Sequence, residues 1–183
     1  MLRKTYKTAV VLIPPLKIWA PIQAIRKLHD RHVRRWMPHI TLIYPFRPLE
    51  EFEGLTQEIA AALAALEPPE VTLSRFSHFQ HGPESFTLWL APELPEPLIR
   101  LHEIVWRLVP DCDDVRNFPE GFAPHLSVGQ ARGLQVLESL RDSLEASWKP
   151  LSFTAREVSL IFRGDPPDDI FRVHTRVPIG RAR

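Results

Sequence analysis

The chain has 183 residues, 44% hydrophobic and 25% charged, so it can bury a sizeable core and has the make-up of an ordinary globular protein. Its 23 basic and 22 acidic side chains nearly cancel, leaving a formal net charge of +1. That balance argues against a polyanion binder tracking long stretches of duplex, which needs a large basic surplus, but leaves room for a local site that takes one phosphate.

The single cysteine, Cys112, has no partner for an internal disulfide, and a cytoplasmic setting is the simplest expectation. No apolar run approaches the roughly 20 residues of a membrane span. The start Met1-Leu2-Arg3-Lys4, with its short apolar run Ala9 to Ile13, does not read as a secretory signal. Nineteen prolines against seven glycines punctuate the chain, and the pairs Pro14-Pro15, Pro68-Pro69 and Pro166-Pro167 mark element ends.

Thr5 to Ile13 is β-rich and stops at two prolines, which predicts a strand. Trp19 to His32 carries Ile22, Ile25 and Leu28 at helical spacing, with Arg26 and Lys27 expected on the other side. His39 to Tyr44 reads as a short strand ended by Pro45, and Glu50 to Leu66 as a helix with acidic residues in its first turn. Val71 to Phe79 and Ser85 to Ala91 read as strands joined by a hairpin at His81-Gly82-Pro83-Glu84. Pro95 to Val109 is helical, with Leu98, Leu101, Ile104, Val105 and Leu108 on one face. His125 to Gly129 reads as a short strand and Gly133 to Trp148 as a helix. Ser152 to Phe162 and Ile170 to Val177 are β-prone, separated by the turn-rich stretch from Gly164 to Asp169.

Each half thus runs helix, strand, helix, strand, strand, over about 19–91 and again over about 95–178. The repeat lies in pattern rather than in letters, and it predicts two similar lobes within one domain over 1–183. Hairpins and sequential neighbours favour mostly antiparallel sheets with helices packed on the outside, an α+β arrangement.

One motif opens the first strand of each half: Pro38-His39-Ile40-Thr41-Leu42 and Pro124-His125-Leu126-Ser127-Val128. Side chains on a strand alternate faces, so His39 and Thr41 point one way while Ile40 and Leu42 point into a core, and His125 and Ser127 do likewise. Chance would supply roughly 0.01 to 0.02 full matches among eight histidines, so two at equivalent points of a repeat are specific.

Two histidines facing one cleft suit phosphodiester chemistry. One neutral imidazole takes a proton from the attacking water or hydroxyl, and the other, as imidazolium, gives one to the leaving oxygen. An unperturbed pKa of about 6.5 lets both forms coexist near neutrality. The hydroxyls of Thr41 and Ser127 can donate to the non-bridging phosphate oxygens. The scheme requires no metal.

On these paired motifs, their separation of 86 residues and their place in a repeated α+β pattern, the chain resembles the 2H phosphoesterase superfamily, in particular its 2′-5′ RNA ligase and 2′,3′-cyclic phosphodiesterase branch. The resemblance implies a bilobal fold with a cleft on a pseudo-twofold axis between the lobes. It also implies chemistry on 2′,3′-cyclic phosphates or related phosphodiesters at RNA ends or nucleotides, without metal or nucleotide cofactor, and with reversible 2′-5′ ligation as a further activity. By analogy His39 is the acid and His125 the base. Many relatives carry Thr where this chain has Ser127, and some carry Arg where it has Gln130, with Arg132 as a nearby substitute.

Tyr44 and Phe46, just after the first motif, are either candidate stacking rings for a base or, equally, a core ring at Phe46 and a turn support at Tyr44 before Pro45, and Trp36 before the motif has the same two readings. Gln130 is a further candidate for substrate contact. Arg31, Arg34 and Arg35 form a basic cluster that either attracts an RNA backbone or is simply solvated. His29 with His32, and His78 with His81, lack the further ligands of a metal site, so no metal is expected. Other phosphodiesters remain open as substrates: a 2′-5′-linked oligonucleotide, an RNA 3′ tail or a small cyclic phosphate. So does a non-catalytic nucleotide- or RNA-end-binding module. A monomer without membrane contact is the default.

Overall fold

The computed structural model describes residues 3–116 and 121–180. In chain order the elements are β1 (Thr8–Leu12), α1 (Trp19–His29), β2 (Ile40–Ile43), α2 (Phe52–Leu63), β3 (Glu70–Gly82), β4 (Ser85–Pro92), α3 (Glu96–Trp106), β5 (Leu126–Arg132), α4 (Leu134–Glu145), β6 (Leu151–Thr154), β7 (Glu157–Phe162) and β8 (Arg172–Pro178). The strands form two four-stranded sheets, ordered β2-β1-β7-β8 and β5-β4-β3-β6, and every pairing is antiparallel.

The fold is the expected α+β, bilobal arrangement, yet neither half of the sequence repeat makes a lobe by itself. The sheet that holds β1 and β2 is completed by β7 and β8 from the far end of the chain, and the other sheet joins β3 and β4 to β5 and β6. By position in the sheets β1 corresponds to β4, β2 to β5 and β7 to β3. The structural repeat therefore begins one strand earlier than the element pattern suggests, and each repeat lends its last long strand to the other sheet.

Ser152 to Phe162, expected as one β-prone stretch, is two strands in different sheets. β6 pairs with β3, whereas β7 pairs with β1 and β8. Ala155 and Arg156 carry the chain across, with the Ala155 amide donating to the Pro69 carbonyl at 2.8 Å. No glycine or proline marks the break.

The helices follow their apolar spacing. α2 buries Leu55, Ile59 and Leu63 at i, i+4 and i+8, and α3 buries Leu98, Leu101 and Val105. α1 is the exception: it buries Ile22 and Ile25 but leaves Leu28 79% exposed and buries Arg26 instead, which corrects the expected place of both. It also ends three residues early. Asp30 is extended, and its Oδ1 accepts the His32 amide at 2.9 Å, so the chain turns back toward β2.

β1 is buried along its whole length because both faces of its sheet are covered. Val10 and Leu12 enter the main core with Ile40, Leu42, Leu126 and Val128. Ala9 and Val11 face the opposite way, into a small cluster with Ile161 and Phe171, against which Trp36 and Tyr44 pack. The motif strands β2 and β5 are edge strands of their sheets and touch each other.

Candidate active site

Ile40 and Leu42 of the first motif, and Leu126 and Val128 of the second, are fully buried in the core. Thr41 and Ser127 between them stay half-buried, as do His39 and His125 just before each strand. Strand alternation therefore holds both histidines and both hydroxyls off the core side.

The two imidazoles are held alike. His39 Nδ1 donates to the Met37 carbonyl at 2.7 Å, and His125 Nδ1 donates to the Ala123 carbonyl at 2.7 Å. A carbonyl can only accept, so Nδ1 carries the proton and the Nε2 lone pair of the neutral ring is free. The prolines have a physical role here. Pro38 and Pro124 favour extended backbone at Met37 and Ala123, which aims the carbonyl two residues back at its own histidine.

Aromatic rings fix the imidazoles further. Trp36 lies flat on His39, with centroids 4.6 Å apart, and its other face stacks on Phe171 at 3.7 Å. His125 meets the edge of Phe79 at 4.8 Å and lies 5.7 Å from Trp89. Burial is the main force lowering both histidines. It pushes His39 down to about 4, against the Met37 hydrogen bond, with the Arg26 and His125 charges adding to the lowering. His125 is lowered by burial against its Ala123 bond, with a smaller contribution from His81.

A cavity of about 200 Å³ joins the two sheets at this point. His39 and Trp36 line it on one side, and Ser127, Gln130 and Thr87 on the other. The end of α1 closes it with Arg26, Asp30, Arg31 and His32. Larger hollows of about 900 and 390 Å³ open beside Thr154 and Arg156, but neither touches a motif residue.

Arg26 and Asp30 form an ion pair at 2.9 Å with side chains only 2% and 3% exposed. The Arg26 guanidinium also donates to the Trp36 carbonyl at 2.9 Å, tying the pair to the ring that backs His39. Gln130 reaches across from β5: its Oε1 accepts the Arg31 amide at 3.0 Å and its Nε2 donates to Asp30 Oδ1 at 3.2 Å. Gln130 thus stands in the cavity wall with its amide spent on tying β5 to the end of α1.

Other expectations need correction. Phe46 is 0% exposed and packs on Phe52 in the core, so it offers no face to a base. Tyr44 remains half-buried, its hydroxyl donating to the Tyr6 carbonyl at 3.2 Å and its ring meeting Trp36 edge-on. Arg34 and Arg35 are bound to Asp169 at 2.7 and 2.9 Å and clamp the β7–β8 loop. Arg132 lies by the β3–β4 hairpin, outside the cavity. His81 bonds Thr87 at 2.9 Å, and His32 accepts from Arg31 at 3.1 Å. Among the described residues no group of three or more His, Cys, Asp or Glu is placed to hold a metal ion. No helix there is long and apolar enough to cross a membrane.

Sequence reasoning missed Arg26, Asp30, Thr87, Trp89 and Phe171. Only the Arg26–Asp30 pair left a signal, since opposite charges at i and i+4 on a helix are neighbours.

Two antiparallel sheets thus touch through edge strands that each carry one matched motif, with His39 and Ser127 lining the cavity between them and His125 and Thr41 outside its lining. The sequence profile of the 2′-5′ RNA ligase superfamily matches residues 14–167, and the chain belongs to that superfamily. It is 32% identical over 126 residues to "Putative phosphoesterase GK0864" of Geobacillus kaustophilus (strain HTA426), covering 68% of this chain and 69% of that protein. A Staphylococcus haemolyticus (strain JCSC1435) relative of similar name is 24% identical over 166 residues, covering 90% and 94%. Among solved structures, E. coli LigT complexed with 3′-AMP superposes with a TM-score of 0.64 at 16% identity, covering 95% of this chain and 98% of LigT. TT0787 of Thermus thermophilus gives 0.61 at 18%, covering 96% and 100%. These two likenesses establish the shared fold.

Proposed function

We propose that this protein is a phosphodiesterase that opens 2′,3′-cyclic phosphates at RNA ends or on nucleotides, using His39 and His125 and no metal. The observation that carries the reading is the matched pair of imidazoles, each with Nδ1 bonded to the carbonyl two residues back and Nε2 free. The LigT complex with 3′-AMP supports a nucleotide-sized ligand.

In this reading a water loses a proton to Nε2 of His125 while its oxygen attacks phosphorus. The bond from phosphorus to the 3′ oxygen breaks, and that oxygen takes a proton from Nε2 of His39, leaving a 2′-phosphate. The assignment of acid and base follows family analogy. Thr41 and Ser127 donate to the non-bridging oxygens, whose charge shifts in the transition state. The negative phosphate also favours the imidazolium that burial disfavours, so substrate helps to charge the acid. With a 5′-hydroxyl in place of water, the same steps form a 2′-5′ linkage, and their reverse, attack by the 3′ oxygen, expels the 5′-hydroxyl and restores the cyclic phosphate. The protein is proposed to act as a monomer in the cytoplasm.

The test is turnover of a nucleoside 2′,3′-cyclic phosphate in EDTA. Wild type should act, and His39→Ala and His125→Ala should each lose at least ~10²-fold in kcat. Full activity in either variant, or dependence on added metal, would overturn the mechanism. Turnover of 2′-5′ oligonucleotides or RNA 3′ tails in preference to the cyclic phosphate would replace the substrate. Nucleotide binding without turnover, unchanged in both variants, would make the protein a binding module.

A further inference from the structure

The charges around the cavity balance, with one exception. Arg26 is paired with Asp30, and Arg34 and Arg35 share Asp169. Arg31 also lines the cavity, yet among the described residues it has no carboxylate partner. The chain holds it in place nonetheless. Its amide donates to Gln130 Oε1 at 3.0 Å, and the next amide, of His32, donates to Asp30 Oδ1 at 2.9 Å. Its Nε donates to His32 Nε2 at 3.1 Å. One of five guanidinium donors is thereby used, and the two terminal nitrogens keep the other four.

Arg31 is exposed at the cavity, but it is held at backbone and Nε and lines the same cavity as Ser127, Thr87 and His39, so its unspent fork can offer a phosphate there two-point contact. We propose that Arg31 binds the non-bridging oxygens of the reacting phosphodiester and is the main cation that neutralises it. Gln130 is a positioning residue in this scheme. It contributes no charge itself but pins the Arg31 backbone from β5, the strand on which α1 packs, so the cation's place depends on the seating of the α1 end. The inference rests on the phosphodiesterase reading for the identity of the ligand, but its physical core, anion capture by Arg31, can be measured without turnover.

The experiment has two arms on the full chain: calorimetric titration with inorganic phosphate, and steady-state hydrolysis of a nucleoside 2′,3′-cyclic phosphate. Arg31→Ala should weaken phosphate binding and raise KM by at least ~10-fold each, with a smaller fall in kcat and an unchanged unfolding midpoint. Arg31→Lys should recover part of the affinity through its charge but not all, because it lacks the fork. Gln130→Ala should weaken phosphate binding by a few-fold. Phosphate affinity unchanged in Arg31→Ala, or no phosphate binding by wild type, overturns the proposal. Wild type that binds phosphate through Arg31 but turns over no phosphodiester leaves it standing and removes the phosphodiesterase reading instead.

Discussion

The indole of Trp36 lies against the imidazole of His39 at a 4.6 Å centroid distance and 16° from parallel, while Phe171 covers its other face at 3.7 Å. The imidazole proposed as the acid is thus the outermost member of a three-ring stack, and its orientation depends on the ring beneath it. Trp36→Ala should lower stability by about 2–3 kcal/mol, below the range for a fully buried tryptophan because Trp36 is only half-buried. It should also lower kcat by about tenfold as His39 loses its backing. Trp36→Phe should restore most of both. Chemical denaturation and steady-state kinetics on the two variants check this, and an inactive but fully stable Trp36→Phe would contradict it.

The depressed histidines set a pH dependence of stability. His39 titrates at about 4 when folded and near 6.5 when unfolded, so between those values the unfolded chain binds the extra proton. Stability should therefore fall as pH drops below about 6.5, the His39 contribution being fully lost near 4. His39→Gln should flatten that slope in thermal melts taken from about pH 7 to about pH 4.5. A slope of the same size in the variant would show that other groups carry it.

Catalysis should carry the same signature. The profile of kcat/KM reports ionisations of the free enzyme, where both histidines are lowered, so its maximum should lie on the acid side of 6.5. The profile of kcat reports the complex, in which the phosphate charge favours imidazolium, so it should sit at higher pH. Coincident profiles, or a kcat/KM maximum above about pH 7, would falsify this assignment of charge states.

The buried pair Arg26–Asp30 should behave asymmetrically. Asp30→Ala strands a buried guanidinium and also releases the bonds to His32 and Gln130, so it should cost about 3–5 kcal/mol. The double variant Arg26→Met, Asp30→Leu removes both charges and should recover much of that loss. Urea titrations of the single and double variants form the cycle, and simple additivity would mean the pair does not interact.

Gly129 marks where α1 meets β5. A Cβ built there would lie 2.7 Å from His29 Cβ and 3.2 Å from the His29 carbonyl oxygen. Gly129→Ala should push α1 off the sheet at a cost of about 1–3 kcal/mol and loosen the Gln130 contacts one residue on. A lower unfolding midpoint together with reduced activity is expected, and an unchanged midpoint would show that the helix yields freely.

What could be read from the chain, and what could not, divides along physical lines. The alternation in Pro-His-x-hydroxyl-x is a local property, and it put Ile40, Leu42, Leu126 and Val128 in the core as expected. The β3–β4 hairpin was equally legible, with Gly82 facing Ser85 across Pro83 and Glu84. Phe46 was misplaced because its direction depends on where the chain goes after Pro45, and it goes inward to Phe52. Arg26 was misplaced because a charge reads as solvent-facing until its buried partner is known. The break between β6 and β7 left no trace at all, since it is set by partners roughly 80 and 150 residues away in β3 and β1.

The exchange of strands between the sheets bears on how the protein is made. While a nascent chain is still on the ribosome, β1 and β2 can pair only with each other, and a two-stranded ribbon is at best marginally stable in water. Their sheet gains its remaining two strands only when β7 and β8, ending at Pro178, have emerged. The His39 wall of the cleft is therefore completed last, by almost the final residues of the described chain, so truncation before β7 should abolish the site even though both histidines are already present.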